Sequence, residues 1–302
     1  MTETIIQVAL LLILPPLLLG VINKVKAWFG GRVGPRLLQP YYDLIRLMRK
    51  GMVVSTTTTW VFRAGPAVTL ATVILAGLLV PIGRCDAPIA FTGDLILFAY
   101  LFGLARFFTT AAALDTGSPF EGMGAAREVT FACLTEPALF FALLVLAKSS
   151  GSLNLTEMLH SPVGEFTPAT VAPLVLVAIG LFIVLLAETC RIPVDDPNTH
   201  LELTMIHEVM VLDHSGPLLG VILYAAAIKL FVLGAVLLHV VAPFATGQVW
   251  LDTPLFVLEL LGLAVLIGVL ESLMARLQMR HVPYLLTAAM LFCGFGFLLL
   301  VR

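Results

Sequence analysis

Charged side chains stand in this sequence where charge is expensive. Arg106, Glu136, Lys229 and Glu259 lie inside long apolar runs, and Glu188 and Glu271 sit near the ends of two of them. A charge at the centre of a bilayer costs about 2.5–3.5 kcal/mol on insertion scales, so four facing lipid would cost about 10–14 kcal/mol. That rivals the net stability of a whole domain. Such side chains must face a bundle interior, pair with one another or titrate to neutral. A carboxylate in low dielectric exchanges protons near neutral pH, and a lysine there is shifted toward the same range. An ion or proton path is therefore the chemistry this set could perform. Structural ion pairs between helices are the plainer alternative, preferred for Glu259 near the outer end of its run.

Metal chemistry has little support. Cys85, Cys133, Cys190 and Cys293 are scattered, with no CxxC or Cys/His ligand spacing, so neither an iron–sulfur cluster nor a structural zinc is expected in this chain. His200 and His207 recur at a spacing of seven, two helical turns apart, where zinc ligands on one helix sit three or four apart. A polar docking or lining face is the better reading of that segment.

The elements that must position these residues follow from composition. Of 302 residues, 60% are hydrophobic and only 12% charged, with a net charge of −2. A span needs roughly 20 mostly apolar residues to cross about 30 Å of hydrocarbon. Eight stretches qualify: 4–22, 64–82, 95–114, 129–147, 169–188, 217–241, 254–271 and 283–301. The chain reads as an all-α integral membrane protein, a bundle of about eight transmembrane helices in one membrane domain over 1–302, with amphipathic cytoplasmic helices. The N-terminus lacks a basic n-region and a cleavage pattern, so the first run is expected to be kept as a span.

Orientation follows from Lys and Arg. Lys24, Lys26, Arg32, Arg36, Arg46, Arg49, Lys50, Arg63, Arg127, Arg191, Arg276 and Arg280 fall on one side, against Arg84, Lys148 and Arg302 on the other. This places the connections 23–63 and 191–216 in the cytoplasm and both termini outside. Within the first, Gln39–Lys50 has Tyr41, Leu44, Ile45 and Met48 at helical spacing, Asp43, Arg46, Arg49 and Lys50 opposite, and Pro40 at the first position. That pattern predicts an amphipathic helix at the membrane surface. Within the second, Asp196 can cap a helix that begins at Pro197 and stops before Gly216-Pro217.

Two of these loops also carry a resemblance. Arg32-Val33-Gly34-Pro35-Arg36-Leu37-Leu38-Gln39-Pro40 resembles the first cytoplasmic loop of the H-subunit family of respiratory complex I. So does Glu188-Thr189-Cys190-Arg191-Ile192-Pro193-Val194-Asp195-Asp196-Pro197, continuing to Asp213-His214-Ser215-Gly216. Trp60-Val61-Phe62-Arg63, Leu114-Asp115-Thr116-Gly117-Ser118-Pro119-Phe120, Gly124-Ala125-Ala126-Arg127-Glu128, Glu136-Pro137 and Glu271-Ser272-Leu273-Met274-Ala275-Arg276 look like the membrane subunit of group 4 NiFe-hydrogenases. That is the formate hydrogenlyase and hydrogenase-4 lineage. Val194 departs from the family's Phe, and Asn198 and His200 stand where acids are common, which puts a functional quinone pocket in doubt.

The resemblance implies a subunit of a prokaryotic inner-membrane complex that anchors a peripheral redox arm and couples it to ion movement. It implies partners: hydrogenase-like large and small subunits, a ferredoxin-like iron–sulfur subunit and antiporter-like membrane subunits. The NiFe centre and iron–sulfur clusters would lie in those partners and no cofactor in this chain. Glu136, Glu188 and Glu202 would relay protons with Lys229, and Arg106, Arg127, Glu128 and Glu271 would belong to the same set. Arg32, Arg36, Arg191, Asp195, Asp196, Glu208 and Asp213 would dock the redox arm. The quinone-binding H-type subunit of a complex I-like enzyme is the first alternative. A stand-alone secondary transporter is the second, opposed by the lack of inverted repeats.

Overall fold

Pro15-Pro16 breaks the first apolar run. In the computed structural model, which describes residues 2–160, 168–195, 205–242 and 248–301, α1 (Thr2–Ile13) meets α2 (Pro15–Phe29) at a bend of 44°. Proline has no N–H to donate and clashes with the preceding turn. The carbonyl of Leu12 loses the bond that residue 16 would make, and Leu17 N turns to Leu14 O, releasing Ile13 O. Two tyrosines fill the gap: Tyr224 Oη donates to Leu12 O at 2.6 Å and Tyr41 Oη donates to Ile13 O. The predicted first span is thus two helices, with its broken backbone satisfied by other elements as a water-free interior demands.

Tyr41 belongs to α3 (Gln39–Met48), the expected amphipathic helix, with Tyr42, Ile45, Arg46 and Arg49 exposed. It is packed onto the bundle. The preceding loop folds back along α2, where a Cβ on Gly20 would stand 2.0 Å from Leu37 O, and α3 then packs on α2 and on α9 (Gly216–Val241). Only glycine lets that backbone so close.

The remaining spans are α4 (Trp60–Leu79), α5 (Asp94–Asp115), α6 (Pro119–Ser150), α8 (Pro168–Glu188), α10 (Val249–Leu273) and α11 (Val282–Val301), with the short α7 (Leu155–His160) between α6 and α8. Among the described residues, seven helices are long and apolar enough to cross a membrane, or eight with the bent α1–α2 pair. This is a multi-pass, all-helical membrane bundle. α6 begins at Pro119, ahead of the predicted apolar run at 129, so the polar stretch carrying Arg127 and Glu128 is helical too.

α9 runs through the middle and touches α2, α3, α4, α8 and α10, while α11 packs on α6 and α8. Leu18, Ile22, Phe98, Leu143, Leu146, Val184 and Phe231 interlock in the main core. Lipid tails are as apolar as these side chains, so close packing and interhelical polar pairs hold such a bundle together. The helix expected from Pro197 to before Gly216 departs from expectation. Residues 196–204 lie outside the described set, and beyond them the chain makes turns and a single 3₁₀ stretch, Glu208–Val211. Asp195 Oδ2 accepts from the amides of Ile206 and His207, both at 3.2 Å, which pins the segment as a side-chain-capped loop.

Candidate functional site

Arg106 sits on the inner face of α5, and its fork matches three carboxylates. Nε donates to Glu128 Oε1 at 3.0 Å, Nη1 meets Glu136 Oε1, and Nη2 meets Glu188 Oε1. Glu128 and Glu136 come from α6 and Glu188 ends α8, so one guanidinium ties three spans. Thr135 Oγ1 also donates to Glu188 Oε1, at 3.1 Å. The second oxygen of Glu188 faces Lys229 Nζ on α9 at 2.6 Å, and that ammonium lies 5.8 Å from the centre of the Phe102 ring. Burying these charges is tolerable because each finds an opposite charge and further hydrogen bonds.

The set continues into the connection between α8 and α9. Glu128 Oε2 faces His207 Nε2 at 3.1 Å, His207 Nδ1 faces Asp195 Oδ2 at 3.6 Å, and Asp195 Oδ1 accepts from Arg276 Nη2 at 2.9 Å. A Cβ on Gly124 would stand 2.3 Å from Val209 Cγ1, so glycine there lets this loop settle on α6. Burial opposes a charge on His207, but the Cys190 sulfur, Glu128 and Asp195 outweigh it and raise its pKa well above the usual imidazole value of 6.5. Burial likewise pushes Asp195 up, while His207 and Arg276 overcome it and hold the carboxyl below the ordinary range. Burial raises the Cys190 thiol, against the pull of His207. Between Glu128, Thr135, Glu188 and His207 lies a cavity of about 10 Å³, roughly the room one water needs.

A second cluster is separate. Glu271 at the end of α10 has a fully enclosed side chain, between Lys26 Nζ at 2.7 Å and Arg191 Nη1 at 3.3 Å. A third acid, Glu121 at the start of α6, is fully buried and accepts from the amide of Asp213 at 3.0 Å. Beside it His214 stacks on Phe62, with ring centres 4.0 Å apart. Among the described residues no three of His, Cys, Asp and Glu gather as a bound metal ion would require.

Of the expected relay, Arg106, Glu128, Glu136, Glu188 and Lys229 come together. Glu271 instead joins Arg191 and Lys26, and Arg127 reaches the loop, its Nη1 donating to Met205 O at 2.8 Å. Of the expected docking face, Arg32, Arg36 and Asp213 are exposed and Glu208 is half-buried. Arg191 and Asp195 are buried among their ion-pair partners, so their place is inside the subunit and not on its face. Glu202 and Asp196, with His200, lie outside the described residues. Sequence reasoning missed Glu121, Thr135, Lys26 and Arg276, and it left His207 unpaired. One signal was available: Glu121, Glu128 and Thr135 recur every seven residues and so share a face of α6.

The family profile described as NADH dehydrogenase matches residues 2–302. Formate hydrogenlyase subunit 4 of Escherichia coli (strain K12) is 32% identical over 303 residues, covering 97% of this chain and 94% of that protein. Hydrogenase-4 component C of the same organism is 33% identical over 290 residues, covering 92% and 90%. The H subunit of NADH-quinone oxidoreductase from Polaromonas naphthalenivorans (strain CJ2) is 28% identical over 188 residues, 59% of this chain and 52% of that protein. Among solved structures, a chain of the membrane-bound sulfane sulfur reductase, an archaeal respiratory membrane complex, superposes with a TM-score of 0.82 over 99% of this chain and 98% of its own, at 21% identity. That likeness concerns the fold.

Proposed function

The chain belongs to the NADH dehydrogenase family, and from that premise we propose that it is the membrane subunit of a formate hydrogenlyase- or hydrogenase-4-like complex. In this reading it anchors a peripheral redox arm and passes protons between the arm and the membrane. The observation that carries it is the series Asp195, His207, Glu128, Glu188 and Lys229, with Glu128 and Glu188 gathered on Arg106, leading from the cytoplasmic loop into the bundle.

Each group has a role set by its chemistry. His207 presents one ring nitrogen to each of two carboxylates, so it can take a proton from the Asp195 side and release one to Glu128. Arg106 keeps its proton at any physiological pH and therefore relays nothing; it holds three carboxylates within reach of one another. The single-water cavity beside Glu128 and Glu188 offers a carrier between them. Lys229 Nζ faces Glu188 Oε2 at 2.6 Å and ends the series in the span. The exposed Arg32 and Arg36, with the exposed basic side of α3, would receive an acidic face of the arm.

The partners in this reading are hydrogenase-like large and small subunits, a ferredoxin-like subunit and antiporter-like membrane subunits. The NiFe centre and iron–sulfur clusters are theirs. The chain would form one membrane domain in a prokaryotic inner membrane, with both termini outside. The likeness to the NADH-quinone oxidoreductase relative favours a second reading, quinone binding, but the cavity at the acids holds about one water and no quinone headgroup.

Glu188→Gln in the purified complex tests the proposal. Gln keeps the shape and much of the hydrogen bonding but cannot exchange a proton. The arm should stay bound with its redox activity, while proton transport into vesicles falls at least ~10-fold, as for loss of an acid–base group. Near-normal transport by an assembled variant refutes the relay, and loss of quinone reduction with transport intact supports the second reading.

A further inference from the structure

Among the described residues, the Glu259 carboxyl makes no hydrogen bond and no ion pair. The structural pair expected for it is therefore not formed, whereas Arg106, Glu136, Glu188 and Lys229 each face an opposite charge. Glu259 stands on α10, ten residues from Val249 and fourteen from Leu273, about 15 and 21 Å along the axis. Trp250, exposed at the first of these ends, suits a membrane interface, and Glu259 lies about 13.5 Å deeper. This is hydrocarbon depth, where a half-buried carboxyl without a partner is disfavoured.

The face beside it is bare. Phe256, Leu260, Leu263, Ala264 and Ile267 turn into the core, where α10 packs on α2 and α9. Leu258, Val265 and Leu266 are exposed on the other side, and the exposed Gly262 lies between them, one turn from Glu259. Glycine is the weakest helix former after proline, so a helix interior holds it at a cost. Gly268 on the same helix has a reason: a Cβ there would stand 2.9 Å from Val25 Cβ, so glycine lets α10 close on α2. At Gly262 a Cβ would meet nothing within 4 Å. No neighbour in this chain uses that gap. Small residues let membrane helices approach closely, and polar side chains bond across the contact.

We propose that the outward face of α10 around Glu259 and Gly262 seats a transmembrane helix of another membrane subunit, which crosses at Gly262 and offers Glu259 a hydrogen-bond donor. A serine, threonine, histidine or lysine would serve. This rests on the proposed function only in needing a membrane partner; it does not depend on proton transfer. Lipid on this face, with Glu259 neutral, and a second copy of this chain are the competing occupants.

Photo-crosslinking in membranes holding the intact complex separates them. Benzoyl-phenylalanine replaces Leu258 or Leu266, with Phe295 on α11 as the exposed control. Positions 258 and 266 should give adducts with one other membrane subunit, identified by mass spectrometry, and position 295 should not. Adducts with lipid alone, with a second copy of this chain, or with the same subunit from all three positions overturn the proposal. Gly262→Leu gives an independent reading, because the added side chain starts in open space and leaves this chain's own packing alone. It should abolish the adducts while the Tm of the chain holds. Glu259→Leu should lower their yield about 10-fold, as for loss of one interhelical hydrogen bond. Glu259→Gln keeps an acceptor oxygen and should retain them. Unchanged adducts in Gly262→Leu or in Glu259→Leu also overturn the proposal. Should the chain purify with no other membrane subunit, the proposed function fails as well; a membrane partner retained with lipid-only adducts overturns this inference alone.

Discussion

His207 shows how a single side chain connects a loop to the interior. It is wedged between Glu128 and Asp195, and its pKa is raised well above 6.5. A raised folded pKa means that the charged form stabilises the fold, fully below the unfolded value near 6.5. The contribution is lost as pH climbs through the folded value. Asp195, held low, contributes in the opposite sense: its share is present above the ordinary carboxylate range and lost as pH falls through the depressed folded value. The Tm of the purified complex in detergent should therefore decline on the alkaline side, and His207→Asn should flatten that decline while leaving the acid side in place. An unchanged alkaline profile in His207→Asn would remove the imidazole from this role. Arg106, Glu136, Glu188 and Lys229 were conspicuous in the sequence because charge inside an apolar run is visible without a structure. Arg276 and Lys26 were not, because they stand among other basic residues at the ends of runs. Which acid each meets depends on packing between helices far apart in sequence.

At the level of elements, the apolar runs predicted the spans closely, since length and hydropathy alone determine what can cross a bilayer. The misjudged pieces share one cause: a distant polar group replaces local backbone bonding. Two prolines break an apolar run expected as one span over 4–22, and Tyr41 and Tyr224 from other helices make the α1–α2 break tolerable. In the same way Asp195 holds residues 206 and 207 where the Asp196-Pro197 start and the Gly216-Pro217 stop predict a helix. The two tyrosines permit a direct test. Tyr224→Phe keeps the ring and removes only the donor, leaving Leu12 O without its partner at a cost of about 1–3 kcal/mol. Thermal unfolding in detergent should move down by several degrees, and Tyr41→Phe should do the same at Ile13 O. A double variant should depart from additivity, because the two hydroxyls lie side by side on consecutive carbonyls of one bend. No shift in either single variant would mean that the bend is held by packing alone.

For the whole molecule, the bundle sorts its charges by depth and by side. The proposed orientation, drawn from the uneven distribution of Lys and Arg, puts the Arg32, Arg49 and Asp213 side in the cytoplasm and the Arg84 side outside. Cysteines introduced at Arg49 and at Glu157 should label from the cytoplasm and from outside, respectively, and the reverse pattern would invert the docking geometry.

The same sorting separates two kinds of arginine that looked alike in the sequence. Arg32 and Arg36 are exposed and precede α3, whereas Arg191 is buried against Glu271, which also takes Lys26. Surface charges contribute about 0–1 kcal/mol to folding. Reversing Arg32 and Arg36 together to Glu should therefore leave the amount and Tm of the chain unchanged. It should release an arm whose acidic face now meets like charge, and salt should deepen the loss, because screening weakens whatever attraction remains. Arg191→Glu acts differently: it sets two carboxylates against each other in an enclosed pocket, and breaking a buried pair costs about 3–5 kcal/mol. That variant should accumulate poorly and unfold early whether or not the arm is present. Pull-down of the arm at low and high salt, set beside the Tm of each variant, distinguishes the two. Full arm retention by the doubly reversed Arg32 and Arg36 variant would place the docking surface elsewhere on the cytoplasmic side, and an Arg191→Glu chain with normal Tm would return that residue to the surface role its sequence position suggested.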